Sequence, residues 1–133
     1  LLQLPCLVHP KDVTLLKQAP NYALVFDKNK ITAPREVLML DPEAGLPFAG
    51  GTLQIHHLPG HTNGSVVFSG SNFAFIGDLL MLAGKGRTDL PGGNAELLDH
   101  SLQLLPQLFS DETIFYPGHG APFRLKDVAH LIS

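Results

Sequence analysis

The sequence predicts one α/β domain, a mixed sheet with helices packed outside it. Three observations carry this. Short apolar runs recur along the chain and stop abruptly at Pro-Gly, Gly or Asn. One segment repeats leucine at helical spacing, at Leu97, Leu98, Leu102 and Leu105. The length, 133 residues, suits a single domain with a real core, and no repeat, low-complexity stretch or linker divides it.

Taken in order, Pro5 to Val8 reads as a short strand with Cys6 as a small core hydrophobe. A helix should follow from about Pro10 to Gln18, because proline suits a first helical position and Asp12 favours the positive end of the helix dipole. Tyr22 to Phe26 has strand-like composition. Residues 27–51 are broken by Pro34, Pro42, Gly45, Pro47 and Gly50-Gly51, and hold one short strand around Val37 to Leu40. Thr52 to Leu58, Ser65 to Ser69 and Phe73 to Gly77 are strands, with a tight turn at Gly70 to Asn72. Their near-continuous apolar character predicts a sheet covered on both faces.

Residues 83–93, with four glycines and one proline, form a loop, after which Asn94 caps the leucine-patterned helix and Pro106 should end or kink it. Thr113 to Tyr116 is a last strand, with Tyr116 in the core, and a short helix from about Leu125 to Ile132 closes the chain.

Bulk properties exclude several classes. Hydrophobic residues make up 44% and charged residues 16%, and the formal charge is −3, so there is no basic footprint for nucleic acid and no polybasic stripe for a membrane. No apolar run is long enough to span a bilayer. A lone cysteine excludes an internal disulfide and cysteine-rich zinc sites, and fits a reducing cytoplasm. The chain opens on Leu1 rather than Met, which predicts that something lies upstream.

The chemistry-bearing residues share one context. His61 follows Leu58-Pro59-Gly60, Asp78 follows Phe75-Ile76-Gly77, and His119 follows Tyr116-Pro117-Gly118. Each sits at the exit of an apolar strand beside glycine, where loops gather at one rim of a sheet and the backbone can turn sharply. Two imidazoles and a carboxylate are a ligand set for zinc, iron or manganese. Any one of these residues alone would be a solvated turn residue; the three together predict a metal site.

Four ordered strings reinforce this: Leu-Pro-Gly-His-Thr-Asn-Gly-Ser (58–65), Phe-Ile-Gly-Asp (75–78), Gly-Arg-Thr-Asp-Leu-Pro-Gly-Gly (86–93) and Tyr-Pro-Gly-His-Gly (116–120). They resemble the metallo-β-lactamase superfamily, nearest its glyoxalase II-like hydrolases. The resemblance implies half of an αββα sandwich, with residues 1–133 as the C-terminal half of the domain. It also implies that His61 binds a first metal, Asp78 bridges two metals as the catalytic carboxylate, and His119 binds the second. The reaction implied is attack by metal-bound hydroxide on a thioester or ester carbonyl, with zinc as the expected metal and iron or manganese as alternatives.

The family's His-x-His-x-Asp-His motif is absent. His56-His57 does not replace it, since neighbours on a strand face opposite ways. His57 is expected to pack or to support the site. The missing ligands imply a fragment of a longer enzyme, a partner that supplies the rest (a second copy or an N-terminal half), or a protein without hydrolase activity. A persulfide dioxygenase, with one iron on two histidines and an aspartate, is a further reading. Gly86-Arg87-Thr88-Asp89 resembles that branch too, whereas Gly118 departs from it. A half-domain interaction module is the non-enzymatic reading, and its open sheet face predicts a homodimer.

Among the remaining residues, Arg87 and Asp89 are expected to pair and brace their loop rather than to attract an anionic substrate. Gly92-Gly93-Asn94 could offer N–H groups to an anion or be a simple turn. His9, His100 and His130 read as surface or packing residues.

Overall fold

A computed structural model describes residues 3–132. A six-stranded mixed sheet forms its centre, built from β3 (Leu46–Phe48), β4 (Gly51–His57), β5 (Val66–Ser69), β6 (Phe73–Gly77), β9 (Ile114–Pro117) and β10 (Phe123–Arg124). Their spatial order is β10-β9-β6-β5-β4-β3, with β6 and β9 parallel and every other neighbouring pair antiparallel. Two small sheets flank it: β1 (Cys6–Val8) pairs in parallel with β2 (Val37–Met39), and β7 (Leu80–Met81) forms a hairpin with β8 (Gly84–Lys85). The mixed α/β class is as the sequence predicts.

The main core cluster lies on one face of the large sheet. The helix α2 (Ala95–Leu108) starts as expected, with the Asn94 side chain accepting from the Leu97 N–H at 3.0 Å. It buries Leu98, Leu102 and Leu105 against Val67, Ala74, Ile76 and Phe115 of the sheet. Leu97 stays exposed, so the apolar stripe is narrower than the sequence pattern suggested. Pro106 sits within α2 without ending it. A 3-10 turn at Leu125–Val128 and the short α3 (Ala129–Ile132) close the same face with Leu125, Val128 and Ile132.

The opposite face corrects the sequence reading. Along β6 Ala74 and Ile76 point into the core, while Phe75 on the other side is 37% exposed. Tyr116, expected in the core, is 40% exposed, and Phe48 is 45% exposed. Phe48, Phe73, Phe75 and Tyr116 form an aromatic ladder, with successive contacts between ring centroids of 5.6–6.5 Å. Leu53 and Ile55 of β4 are buried on this same face, so it is covered at β4 and open at β6 and β9 among the described residues.

The segment after α1 (Val13–Tyr22) is the second correction. Tyr22 to Phe26 is helical, because α1 runs through Pro20 and continues as a π-turn at Ala23–Asp27 that ends at Lys28 with φ +56°. The run Leu24-Val25-Phe26 has the composition of a strand but no ladder partner. It stays helical and leaves all three side chains exposed. Pro10–Asp12 is a 3-10 turn leading into α1 rather than part of it. Four short strands, β3, β7, β8 and β10, are not expected from sequence, and β8 lies within the predicted loop at 83–93.

Candidate metal centre

Topology alone brings the three strand exits together. Strands β6 and β9 run parallel as neighbours, so Asp78 and His119 emerge side by side, and the Gly118 N–H extends the ladder by donating to the Gly77 carbonyl at 2.8 Å. Strand β4 is two antiparallel steps from β6 and therefore points the same way, which puts the turn carrying His61 on the same sheet edge.

Asp78 is the common partner. Its Oδ1 lies 2.9 Å from His119 Nδ1 and its Oδ2 lies 3.5 Å from His61 Nε2. The carboxylate is about a quarter exposed, whereas the His119 side chain is 76% exposed. Gly118 is required by this arrangement, since a Cβ there would sit 2.2 Å from Asp78 Oδ1.

His61 is oriented from behind. Its Nδ1 lies 2.8 Å from the Arg87 carbonyl oxygen, which can only accept, so Nδ1 carries a proton and Nε2 is the ring nitrogen turned toward Asp78. Arg87 thus contributes through its backbone. Its guanidinium makes a bidentate pair with Asp89, at 2.8 Å and 2.7 Å, as the bracing reading expected. The hydrogen bonds from Arg87 hold the Asp89 carboxyl down to about 2.

The brace has a pH consequence. A carboxylate titrating at ~3.9 when unfolded and near 2 in the fold contributes stability above the unfolded value. That contribution is lost as pH falls through the folded value. Carbon-detected NMR titration of Asp89 should give a midpoint near pH 2; an ordinary carboxylate midpoint would show that the pair is not formed in solution.

A second support holds the His61 turn from the other side and was not foreseen. Asp12, read only as a helix-dipole residue, accepts from the Thr62 hydroxyl and, at 2.7 Å, from the Gly64 N–H. Ser65 Oγ lies 2.8 Å from Thr62 Oγ1 and accepts from the Thr62 N–H. The contact joins residues 50 apart, so no local spacing reports it. His57 completes the brace, with Nε2–H donating to the Asn63 carbonyl at 2.8 Å and the ring stacked 4.1 Å from His9. Burial and the neighbouring His57 ring push the His9 pKa down. His56 points to the opposite face, where it bonds Ser69 Oγ at 2.8 Å and meets Phe109 edge-on; burial lowers its pKa.

The glycine pair before α2 is a turn. The Gly93 N–H donates to Leu90 and the Asn94 N–H to the Gly60 carbonyl at 2.8 Å, so these donors are engaged within the chain. Gly60 is pressed against α2 and has φ +144°.

The donors fit a metal in kind: two imidazoles, one with its tautomer set by a backbone carbonyl, and a carboxylate between them. They do not enclose one. Among the described residues no group of three or more His, Cys, Asp or Glu side chains converges on a point that an ion could occupy. Asp78 meets the two histidines through different oxygens, as one edge of a site would. A resident ion needs further donors to reach four-coordination.

The family model described as the metallo-beta-lactamase superfamily matches residues 6–119. The chain belongs to this superfamily. It is 36% identical over 124 residues to a hydroxyacylglutathione hydrolase of Haemophilus influenzae, covering 84% of this chain and 54% of that protein. A probable metallo-hydrolase of Methanocaldococcus jannaschii is 34% identical over 121 residues, covering 87% and 57%. Among solved structures, the di-iron-bound form of TTHA1623 superposes with a TM-score of 0.84 at 36% identity, covering 98% of this chain and 64% of that one. The chain spans less than two thirds of the length of the relatives it matches. The αββα-type fold expected from the four motifs is therefore supported by sequence and by shape.

Proposed function

We propose that the chain supplies one edge of the metal centre of a hydrolase that cleaves thioesters or related esters, with His61, Asp78 and His119 as metal ligands. The observation that carries this reading is the placement of two histidines on either side of Asp78 at one sheet edge, with His61 Nε2 turned inward by the Arg87 carbonyl. The relatives named as a hydroxyacylglutathione hydrolase and a probable metallo-hydrolase support the reaction class. The di-iron form of TTHA1623 keeps iron beside zinc and manganese as the ion.

A bound metal would supply a hydroxide nucleophile at neutral pH and charge to stabilise a developing oxyanion. The chain's own residues do the positioning. Asp12, Thr62 and Ser65 fix the turn that carries His61, the Arg87 carbonyl sets its tautomer, and Gly118 lets the His119 loop lie against Asp78. The Asp78 carboxylate is the charged group on which both imidazoles converge. Cytoplasmic residence is part of the proposal; among the described residues no helix is long and apolar enough to cross a membrane.

The test is hydrolysis of a short acyl thioester by metal-loaded protein, before and after chelation and dialysis. Loss on chelation and recovery with zinc, iron or manganese is the expected result. No hydrolysis, together with no metal above background by elemental analysis, would sink the reading.

The aromatic ladder favours a second reading, in which this face associates with a second copy of the chain. A contiguous exposed apolar face normally marks an association surface. Sedimentation velocity should show a dimer that Phe75→Ser converts to monomer. A wild-type monomer across the concentration range would exclude it.

A further inference from the structure

A groove opens directly from His61. One cavity of about 200 Å³ has His61 and Thr62 at its rim and Leu15, Tyr22, Phe26 and Leu90 as walls. A second, of about 430 Å³, shares those four walls and extends to Ile31, Asp27 and Arg87. The four shared side chains place the two cavities side by side, and the larger is of the size that takes small organic molecules. Phe26 is 55% exposed and packs against Tyr22 at 6.2 Å between ring centroids, so an apolar wall stands in water beside the site.

The charges at the far end select the occupant. The Arg87 guanidinium is held by Asp89 through two hydrogen bonds, and the Asp27 carboxylate lines the same cavity. Among the described residues Arg87 is the one cation lining the groove, and its charge is already paired with Asp89, so it offers little to an anionic tail. A glutathionyl group, which carries carboxylates, would be repelled there; an uncharged hydrocarbon group would not.

We infer that this groove binds the acyl half of the substrate, and that the acyl group is an extended apolar chain rather than a compact 2-hydroxyacyl group. The inference rests on the proposed hydrolase reading for the word substrate. The groove itself stands on its lining and its charges.

Binding is tested without turnover, using uncharged acyl amides of N-acetylethylenediamine, in which nitrogen replaces the thioester sulfur. Butanoyl, hexanoyl, octanoyl, decanoyl and 2-hydroxypropanoyl forms are titrated into the chain by calorimetry. Affinity should rise about threefold to fourfold per methylene until the groove is filled. The octanoyl form should bind far more tightly than the 2-hydroxypropanoyl form. Phe26→Ser and Leu15→Ala should flatten the chain-length slope, and Leu108→Ser, an exposed change on α2, should leave it unchanged. Phe26 is exposed, so its substitution should keep the melting temperature.

Affinity independent of chain length, a 2-hydroxypropanoyl form that binds as well as octanoyl, or an unchanged slope in Phe26→Ser would each overturn the inference. So would self-association that Phe26→Ser abolishes, since a second copy would then fill the groove. Chain-length-dependent binding with no hydrolysis of any thioester would keep the groove and remove the hydrolase reading. Hydrolysis confined to 2-hydroxyacyl thioesters would do the reverse.

Discussion

Gly60→Ala is expected to cost about 4 kcal/mol or more, enough to leave much of the chain unfolded, although the change adds a single methyl group. The added Cβ would stand 2.3 Å from Leu98 Cα and 2.4 Å from Leu98 N, so it meets backbone and not a side chain that can rotate away. Residue 60 also has φ +144°, a conformation closed to alanine. The contact is fixed from both sides. The Gly60 carbonyl accepts from the Asn94 N–H, and Ser101 Oγ donates to the Pro59 carbonyl at 2.6 Å, so the turn cannot back away without losing hydrogen bonds at the start of α2. Leu98 belongs to the core, and a shift of α2 would open a cavity under Val67 and Ile76. Urea unfolding should show the midpoint collapse. An unfolding free energy within about 1 kcal/mol of wild type would mean that the turn and helix do not touch in solution.

The second large effect is at Asp78. Asp78→Ala should reduce bound metal to background and lower thioester hydrolysis by at least about a hundredfold, with little loss of stability. The carboxylate lies on the rim, outside the core cluster, and its removal leaves no buried donor without a partner, because both histidines can turn to water. Elemental analysis and urea unfolding of the same preparations separate the outcomes. Metal retained at wild-type level would remove Asp78 from the ligand set. Metal lost together with the fold would show a structural role instead. Asp78→Asn, which keeps the shape and one oxygen, should retain some metal if coordination is the role.

Much of the fold was legible from local signals. The strands at 52–58, 65–69 and 73–77 announce themselves by apolar runs closed by turn residues, and Asn94 with its leucine stripe announces α2. Tyr22 to Phe26 was misread because a short apolar run has no periodicity that separates strand from helix; the absence of a ladder partner decided it. Tyr116 and Phe75 were misread for a related reason. An apolar residue in a two-sided strand says that burial is favourable, but not that a covering layer is present.

The candidate site divides in the same way. His61, Asp78 and His119 could be named from sequence because strand exit followed by glycine is a local pattern, and parallel pairing of β6 with β9 then does the rest. Residues far apart in the chain could not be named. Asp12 anchors the His61 turn across 50 positions, and Arg87 acts through its carbonyl, an atom every residue has. The groove walls come from α1, the π-turn and the loop at Leu90, segments whose meeting no spacing rule encodes. The sequence by itself determined which residues end each strand and what chemistry they carry. Only the tertiary structure decided what stands behind them, because contacts between distant segments depend on how the layers pack, and local free-energy preferences hold no record of that packing.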